Sequence, residues 1–266
     1  MILVFLFLFG LAIGSFLNVL VLRINTGETL RGRSRCFSCL AKLAWYDLIP
    51  LASYFAIRGK CRYCRSKVSR QYSIVEFMAG VIFAVTGWIV FGAVDPVFTD
   101  GKIFQYILNV SFFSALLAAS VYDIRHKIIP DQFSLFLLAV AVVSEIFMLY
   151  TNVSGASLGA DFLAAVGAFI FFGGLWFVSR GAWMGFGDVK LAISLGLFLG
   201  YPGILFGIVF AFWSGALFGI AMMIAGRYGR KTEVPFAPFL ALGTLLAFLF
   251  MASGATLSYY NYISVI

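Results

Sequence analysis

The chain has 266 residues, of which 62% are apolar and only 11% are charged, against about 25% charged residues in an ordinary soluble domain. This composition, with 31 phenylalanines, excludes a soluble globular enzyme, a disordered chain and a small disulfide scaffold. It indicates an all-α polytopic membrane protein, because each helix needs about 20 apolar residues to cross a bilayer. The net charge is +8, and the basic residues lie between apolar segments. This placement indicates cytoplasmic loops that face anionic lipid, and it disfavours nucleic acid as a partner.

Eight apolar segments are predicted to be transmembrane helices. Residues 2–22 carry no charge before Arg23, so the first segment is predicted to be a retained helix rather than a secretory signal. Tyr201-Pro202-Gly203 predicts a tight turn between the sixth and seventh helices, and a single kinked helix is the alternative. The other segments are 74–92, 103–121, 133–150, 162–178, 189–200, 203–225 and 239–257.

The basic residues predict the orientation of these helices. If both termini lie outside, 18 of the 19 Lys and Arg residues fall in inner loops, and only Lys102 falls outside. Eleven of them lie in the first loop, residues 23–73, which is too small for a rich core and is expected to need a staple. Merging the sixth and seventh helices would move Arg227, Arg230 and Lys231 to the outer side, which favours eight helices.

All the cysteines of the chain lie in that loop, as two CxxC pairs with the spacing of a four-thiolate zinc site. Two disulfides or four free thiols are the alternatives, and the predicted reducing side of the membrane disfavours disulfides. Four protein ligands leave no open coordination position, so the zinc would be structural. The predicted ligands are Cys36, Cys39, Cys61 and Cys64.

Two of the few carboxylates are candidates for catalysis. Asp123 closes the third predicted helix and Asp188 opens the sixth, and both are expected at the inner membrane face. Like charges held close share a proton, so one group can accept a proton from water while the other donates one to a scissile carbonyl. The alternative is that each aspartate caps a helix or pairs with Arg125 or Lys190.

The residues around Asp188 suit an extended substrate. Gly185 and Gly187 precede it and permit close approach of another backbone, and Lys190 follows it. Asp131 begins the fourth predicted helix, where helix capping explains an acidic residue. His126 is the only histidine, which argues against a histidine-based triad.

Together these motifs resemble the type IV prepilin peptidase family, which consists of bacterial membrane aspartic proteases with a GxGD motif. The resemblance covers nearly the whole chain and includes both CxxC pairs. The further matching segments are Gly14-Ser15-Phe16-Leu17-Asn18-Val19, Trp45-Tyr46-Asp47-Leu48-Ile49-Pro50, Tyr72-Ser73-Ile74-Val75-Glu76, Asp123 to Asp131, Gly185-Phe186-Gly187-Asp188-Val189-Lys190-Leu191 and Pro235-Phe236-Ala237-Pro238-Phe239.

The resemblance implies that Asp123 and Asp188 are the catalytic aspartates, with Gly185, Gly187 and Lys190 positioning the substrate. The implied substrates are prepilins and pseudopilins of type IV pilus and type II secretion systems, which lose a basic leader at the cytoplasmic face of the inner membrane. Members with the cysteine loop also methylate the new N-terminus with S-adenosylmethionine. Glu76 is the methyltransferase candidate, and pairing with Arg70 or a loop arginine is its alternative role.

These inferences predict three regions: a first transmembrane helix at 1–22, a zinc module at 23–73 and a seven-helix peptidase domain at 74–266. A peptidase without methyltransferase activity is one alternative function. A cation-coupled membrane transporter is another, and it predicts carboxylates near the bilayer midplane.

Overall fold

The structure is a computed structural model that describes residues 1–26, 29, 32–92, 99–151, 158–227, 229 and 232–252. The described residues form an all-helical protein in which the only strand-like pairing is two isolated bridges. A 3₁₀ turn at Trp45–Leu48 precedes the second helix. The helices are α1 (Ile2–Arg23), α2 (Ala52–Ala56), α3 (Arg70–Phe91), α4 (Asp100–His126), α5 (Asp131–Tyr150), α6 (Leu158–Ser179), α7 (Phe186–Ile224) and α8 (Ala237–Ala252).

Six of these helices are long and apolar enough to cross a membrane: α1, α3, α4, α5, α6 and α7. The 39-residue α7 is not straight, because Gly200 and Tyr201 have non-helical backbone angles in its middle. If the two halves of α7 are counted separately and the shorter apolar α8 is included, the described residues contain eight apolar helical segments, which is the predicted number. The predicted all-α membrane fold is therefore confirmed.

The break in α7 reverses the direction of the chain. Gly173 of α6 lies beside Val189 in the first half of α7, whereas Phe172 packs against Phe212 in the second half, with ring centroids 6.2 Å apart. Val189 and Phe212 are each 11 residues from the break, so the two halves form a helical hairpin. The turn predicted at Tyr201-Pro202-Gly203 thus lies at the observed break.

A carboxylate from α6 holds this turn. Asp161 accepts a hydrogen bond from the backbone N–H of Tyr201 at 3.2 Å, which satisfies an amide that the break leaves without a helical partner. Gly200 has φ of 60°, and a side chain at this position would collide with Asp161.

Several sequence predictions lie outside the described residues. They concern Arg230, Lys231 and the predicted end of the last helix at 253–257.

The chain divides into two compact units, Met1–Trp88 and Ile89–Ile266. In the first unit α1 and α3 pack closely through glycines. A Cβ on Gly10 would lie 2.7 Å from the Ala79 carbonyl oxygen, and one on Gly14 would lie 2.6 Å from the Glu76 Cα. Gly10 and Gly14 form a GxxxG pattern, which lets the backbones of two membrane helices approach each other.

In the second unit α4 is the most enclosed helix, with 78% of its apolar stretch buried. Its Phe112 ring stacks on Phe198 of α7 with centroids 3.8 Å apart, and Phe113 packs edge-on against Phe248 of α8. Small residues make the remaining contacts close, because a Cβ on Gly196 of α7 would lie 2.6 Å from the Ala165 Cα of α6. This packing holds the ends of α4, α7 and α8 together at the site described below.

The substitution Gly196→Ala is expected to destabilise the second unit by about 1–3 kcal/mol, because backbone atoms of α6 occupy the space that the methyl group needs. Thermal unfolding in detergent measures the change. Gly167→Ala in α6 is the matched control, since nothing lies within 4 Å of its added Cβ, and it should be neutral or stabilising. Equal stability of the two variants would contradict the close α6–α7 contact.

Candidate active site and cysteine cluster

The four cysteines of the first unit converge on one point. All are free thiols, and their sulfur atoms lie within 4.8 Å of one another. The Sγ atoms of Cys36 and Cys64 are 3.8 Å apart. A tetrahedral zinc ion with Zn–S bonds of about 2.3 Å separates its sulfur ligands by about 3.8 Å. The cluster therefore has the donor atoms and the spacing to hold a metal ion.

The two CxxC segments have the same backbone conformation. In each, the first cysteine N–H donates to the carbonyl five residues later, and its carbonyl accepts from the residue four positions later. The residue that donates to this carbonyl is Leu40 in one segment and Arg65 in the other, and both have the left-handed conformation. Antiparallel bridges close the two turns, Arg35 with Lys42 and Lys60 with Lys67. The segments thus form two equivalent knuckles, built on a short repeat of a basic residue, CxxC, two residues and lysine.

Hydrogen bonds within the knuckles favour the thiolate forms of Cys36 and Cys64. The backbone of Cys39 lowers the pKa of the Cys36 thiol to about 6. The hydroxyl of Ser66 lies 3.1 Å from Cys64 Sγ and 3.7 Å from Cys36 Sγ, and it lowers the pKa of the Cys64 thiol. Metal ligation requires deprotonated thiols. The Ser66 hydroxyl contacts one cysteine of each knuckle, so it connects the two knuckles beside the sulfur atoms that would bind a metal.

Asp47 joins the 3₁₀ turn to the second knuckle. Its carboxylate accepts hydrogen bonds from Arg62 Nε at 2.8 Å and from the Tyr63 hydroxyl at 3.2 Å, and its side chain is only 4% exposed. The Arg62 guanidinium also lies over the Tyr46 ring, 5.0 Å from its centroid. Asp47 is therefore a structural link inside the cysteine module.

Glu76 lies buried on α3, beneath the segment that follows the 3₁₀ turn. Its carboxylate accepts the Leu51 N–H at 2.9 Å and a hydrogen bond from the Ser15 hydroxyl of α1. These partners are neutral, unlike the arginine that was the alternative expectation. Leu51 has φ of 58° and ψ of −53°, and the Ala52 N–H reaches back to the Pro50 carbonyl at 2.6 Å. Glu76 thus holds the middle of a strained γ-turn.

Asp123 lies one turn before the end of α4 and is 6% exposed. Its Oδ2 accepts a hydrogen bond of 3.2 Å from the backbone N–H of Ala237, the first residue of α8. The first N–H groups of a helix have no partner within it and form the positive end of its dipole, so α8 presents a donor to this carboxylate.

Asp188 is the third residue of α7 and is 5% exposed. Its carboxylate lies close enough to that of Asp123 for the two charges to interact. The Oδ1 atom of Asp188 is buried and has no hydrogen-bond partner among the described residues. Two acidic groups 65 positions apart in the chain are therefore brought together at helix ends of the second unit.

The two glycines before Asp188 occupy different environments. A Cβ on Gly187 would lie 2.9 Å from the Ile129 Cβ, so this glycine lets the loop after α4 pack against the start of α7. A Cβ on Gly185 would meet nothing nearer than 3.9 Å, and the second nearest atom would be Asp188 Oδ2 at 4.0 Å. Gly185 therefore leaves open space beside the carboxylate.

Two ion pairs connect the same group of helix ends. Lys190 Nζ pairs with Asp131 of α5 at 2.5 Å, and Lys127 Nζ pairs with Glu233 at 3.1 Å. Asp131 is the first residue of α5, as predicted, but its carboxylate bonds Lys190. His126 is the last residue of α4, with its ring against Tyr122.

Sequence reasoning missed several contributors to these sites, among them Ser66, Leu51 and Ala237. The repeat shared by the knuckles does not single out Ser66, because the equivalent residue of the first knuckle is Ala41. Ala237 contributes a backbone N–H, which every residue type except proline supplies, so its identity carries little signal.

The fold defines a multi-pass membrane protein in which two buried carboxylates at helix ends lie close enough for their charges to interact. Two family models match the chain: the bacterial peptidase A24 N-terminal domain at residues 8–90 and the type IV leader peptidase family at residues 110–220. The chain belongs to the type IV leader peptidase family, as the motifs predicted, and this family consists of aspartic proteases.

Curated relatives with the name prepilin leader peptidase/N-methyltransferase are similar over most of the chain. The Bacillus subtilis protein is 32% identical over 250 residues, covering 92% of this chain and 93% of the relative. The Myxococcus xanthus protein is 33% identical over 86% of this chain and 66% of the relative. The Xanthomonas campestris protein is 31% identical over 90% and 88%. No solved structure is significantly similar to the chain.

Ser66→Ala is expected to weaken Zn²⁺ binding by the cysteine cluster about tenfold, because it removes the hydroxyl that reaches two of the sulfurs. Competition with a chromophoric chelator measures the affinity. Ser38→Ala is the control, since Ser38 supports Cys36 through its backbone, which alanine retains. A Ser66→Ala protein with unchanged affinity would remove this hydroxyl from the site.

Proposed function

We propose that this chain is a bifunctional membrane enzyme that removes the leader of prepilins and pseudopilins with Asp123 and Asp188 and then N-methylates the new N-terminus. Family membership supports peptidase chemistry, and the names of the relatives support both activities. The observation that carries the catalytic assignment is the interaction between two buried carboxylates from α4 and α7.

In the proposed mechanism the two carboxyl groups hold one proton between them. The ionised group takes a proton from a water molecule, which attacks the scissile carbonyl carbon while the protonated group donates to the carbonyl oxygen. When the tetrahedral intermediate collapses and the C–N bond breaks, the carboxyl group that took the proton of water gives it to the leaving amine. The other carboxylate takes a proton from a hydroxyl of the intermediate, which restores the single shared proton. The unpartnered Oδ1 of Asp188 supports this scheme, since it is free to bond the water or the shared proton.

The open space at Gly185 supports substrate approach beside Asp188. Gly187 contributes indirectly, because it lets Ile129 pack against the start of α7. Lys190 is proposed to act through Asp131, which it already binds, by keeping the starts of α5 and α7 together. An extended segment of the prepilin would then pass the carboxylates along the side that Gly185 leaves open.

We propose that the cysteine module and the catalytic carboxylates lie on the cytoplasmic side of the bacterial inner membrane and that both termini lie outside. The support is the distribution of basic residues between apolar segments. In this orientation the cleavage site at the inner end of a prepilin helix reaches Asp123 and Asp188 without leaving the membrane surface. The transporter alternative predicts carboxylates near the bilayer midplane. Asp123 lies near the end of α4 and Asp188 at the start of α7 instead, which disfavours that alternative.

The first unit is proposed to perform methyl transfer. This unit covers the predicted regions 1–22 and 23–73 together with most of α3. Bound S-adenosylmethionine would supply an electrophilic methyl group for the free α-amine and would leave as S-adenosylhomocysteine. The amine must first lose its proton, and the buried Glu76 carboxylate with its neutral partners is proposed to accept it. A structural zinc ion bound by Cys36, Cys39, Cys61 and Cys64 would fix the module that carries Leu51 onto Glu76.

Replacing either aspartate with asparagine is expected to reduce prepilin cleavage by about 10²–10⁴-fold, because an amide neither accepts nor donates the catalytic proton. Cleavage of a prepilin by purified protein in detergent measures the effect. Glu145→Gln is the control, since it removes a carboxylate of α5 whose charge interacts with Asp161 instead. Unimpaired cleavage by Asp123→Asn or Asp188→Asn would remove that residue from the mechanism.

Glu76→Gln is expected to reduce methyl transfer by about 10²–10⁴-fold and to leave cleavage unchanged. The glutamine oxygen can still accept the Leu51 N–H, so the γ-turn keeps its support. Transfer of labelled methyl groups to a pilin that has already been cleaved separates this activity from proteolysis. Cleavage by the same preparation is the internal control. Full methyl transfer, or equal loss of both activities, would contradict the proposed role.

A further inference from the structure

The first residue of α8 is bound at both of its backbone polar groups by one turn of α4. The Ala237 N–H donates to Asp123 Oδ2 at 3.2 Å, and the Ala237 carbonyl oxygen lies 3.2 Å from the Ser120 hydroxyl. Ala237 is fully buried and Ser120 is only 4% exposed. Ser120 is therefore shielded from solvent, and its hydroxyl contacts Ala237, the same residue that donates to Asp123.

The spacing of the two side chains explains this arrangement. Ser120 and Asp123 are three residues apart on α4, so they lie next to each other on one helix face. A single hydrogen bond from Ala237 would leave α8 free to pivot about it. A second bond to the carbonyl of the same residue fixes the direction in which the N–H points at the carboxylate.

The Ser120 hydroxyl has a local acceptor too, the Leu116 carbonyl at 2.7 Å. A bond of this kind, to the residue four positions earlier, is common for serine in helices and needs no partner on another helix. The hydroxyl has one proton to share between the two carbonyls. A purely local role thus predicts that removing the hydroxyl has no effect on chemistry at Asp123.

We propose that Ser120 is a positioning residue of the peptidase reaction, which holds Ala237 so that its N–H stays on the Asp123 carboxylate. The inference rests on the proposed catalytic role of Asp123. With this clamp in place, one oxygen of Asp123 is committed to α8, and the carboxylate cannot rotate freely beside Asp188. Ser120 itself does not contact the reacting atoms.

The test compares Ser120→Ala, Ser120→Thr and Ser194→Ala in the full-length protein. Threonine keeps the hydroxyl, and its side chain is compatible with a bond to an earlier carbonyl in a helix. Ser194 is a buried serine of α7 without a hydrogen-bond partner among the described residues, so it controls for the loss of a buried hydroxyl as such. The measurements are kcat and KM for prepilin cleavage, methyl transfer to an already cleaved pilin, and the thermal unfolding midpoint in detergent.

Ser120→Ala is expected to lower kcat by about 10- to 100-fold, since small misplacements of catalytic groups have effects of this size. Its KM, methyl transfer and unfolding midpoint should stay near those of wild type, and Ser120→Thr and Ser194→Ala should cleave normally. Unchanged kcat in Ser120→Ala would overturn the inference, as would equal losses in Ser120→Thr. A parallel fall in cleavage, methyl transfer and unfolding midpoint would assign Ser120 a structural role instead. If Asp123→Asn is inactive while Ser120→Ala is fully active, only this inference fails, whereas an active Asp123→Asn removes the proposed function itself.

Discussion

Close packing of helices through small residues is the constraint on which the acidic site depends. Asp123 and Asp188 interact only because the ends of α4 and α7 are held together. The local sequence around either aspartate does not specify that the two residues lie close together. Gly196 lets its backbone approach that of Ala165, and Gly187 lets the Ile129 side chain pack against the start of α7, both at distances that a larger residue would not permit. In a membrane the hydrophobic effect does not drive helices together, so such contacts carry much of the association energy. A methyl group added at Gly187 would collide with Ile129 directly beside Asp188.

The first unit solves a different problem, which is how a polar segment of about 50 residues keeps a defined shape. Its knuckles supply thiolates at metal spacing, and Asp47 ties the second knuckle to the 3₁₀ turn. The chain then passes through the γ-turn at Leu51, whose N–H ends on the buried Glu76 of α3. The cysteine cluster and the methyltransferase candidate are therefore connected through one short run of backbone. Metal binding at the knuckles and chemistry at Glu76 are expected to depend on each other for this reason.

Much of this organisation could be predicted from the sequence. Composition alone indicated a helical membrane protein, and Tyr201-Pro202-Gly203 marked the reversal within α7. The two CxxC pairs predicted the convergence of four thiols, because a CxxC turn is a local structure with few conformations. Glu76 was the weaker case. Only the family resemblance singled it out, and its partners Leu51 and Ser15 lie 25 residues or more away along the chain, so local spacing does not reveal them.

By itself the sequence determined the class of protein, the apolar segments, the thiol cluster and the identity of the two candidate aspartates, since all of these follow from residue type and local spacing. Only the tertiary structure decided that the Asp123 and Asp188 carboxylates lie close enough for their charges to interact, that Lys190 binds Asp131, and that the N–H of Ala237 donates to Asp123. These contacts join residues that are between 59 and 114 positions apart, and one of them uses a backbone group common to nearly every residue type. Side-chain chemistry can be read along the chain, whereas the meeting of distant groups depends on how helices pack.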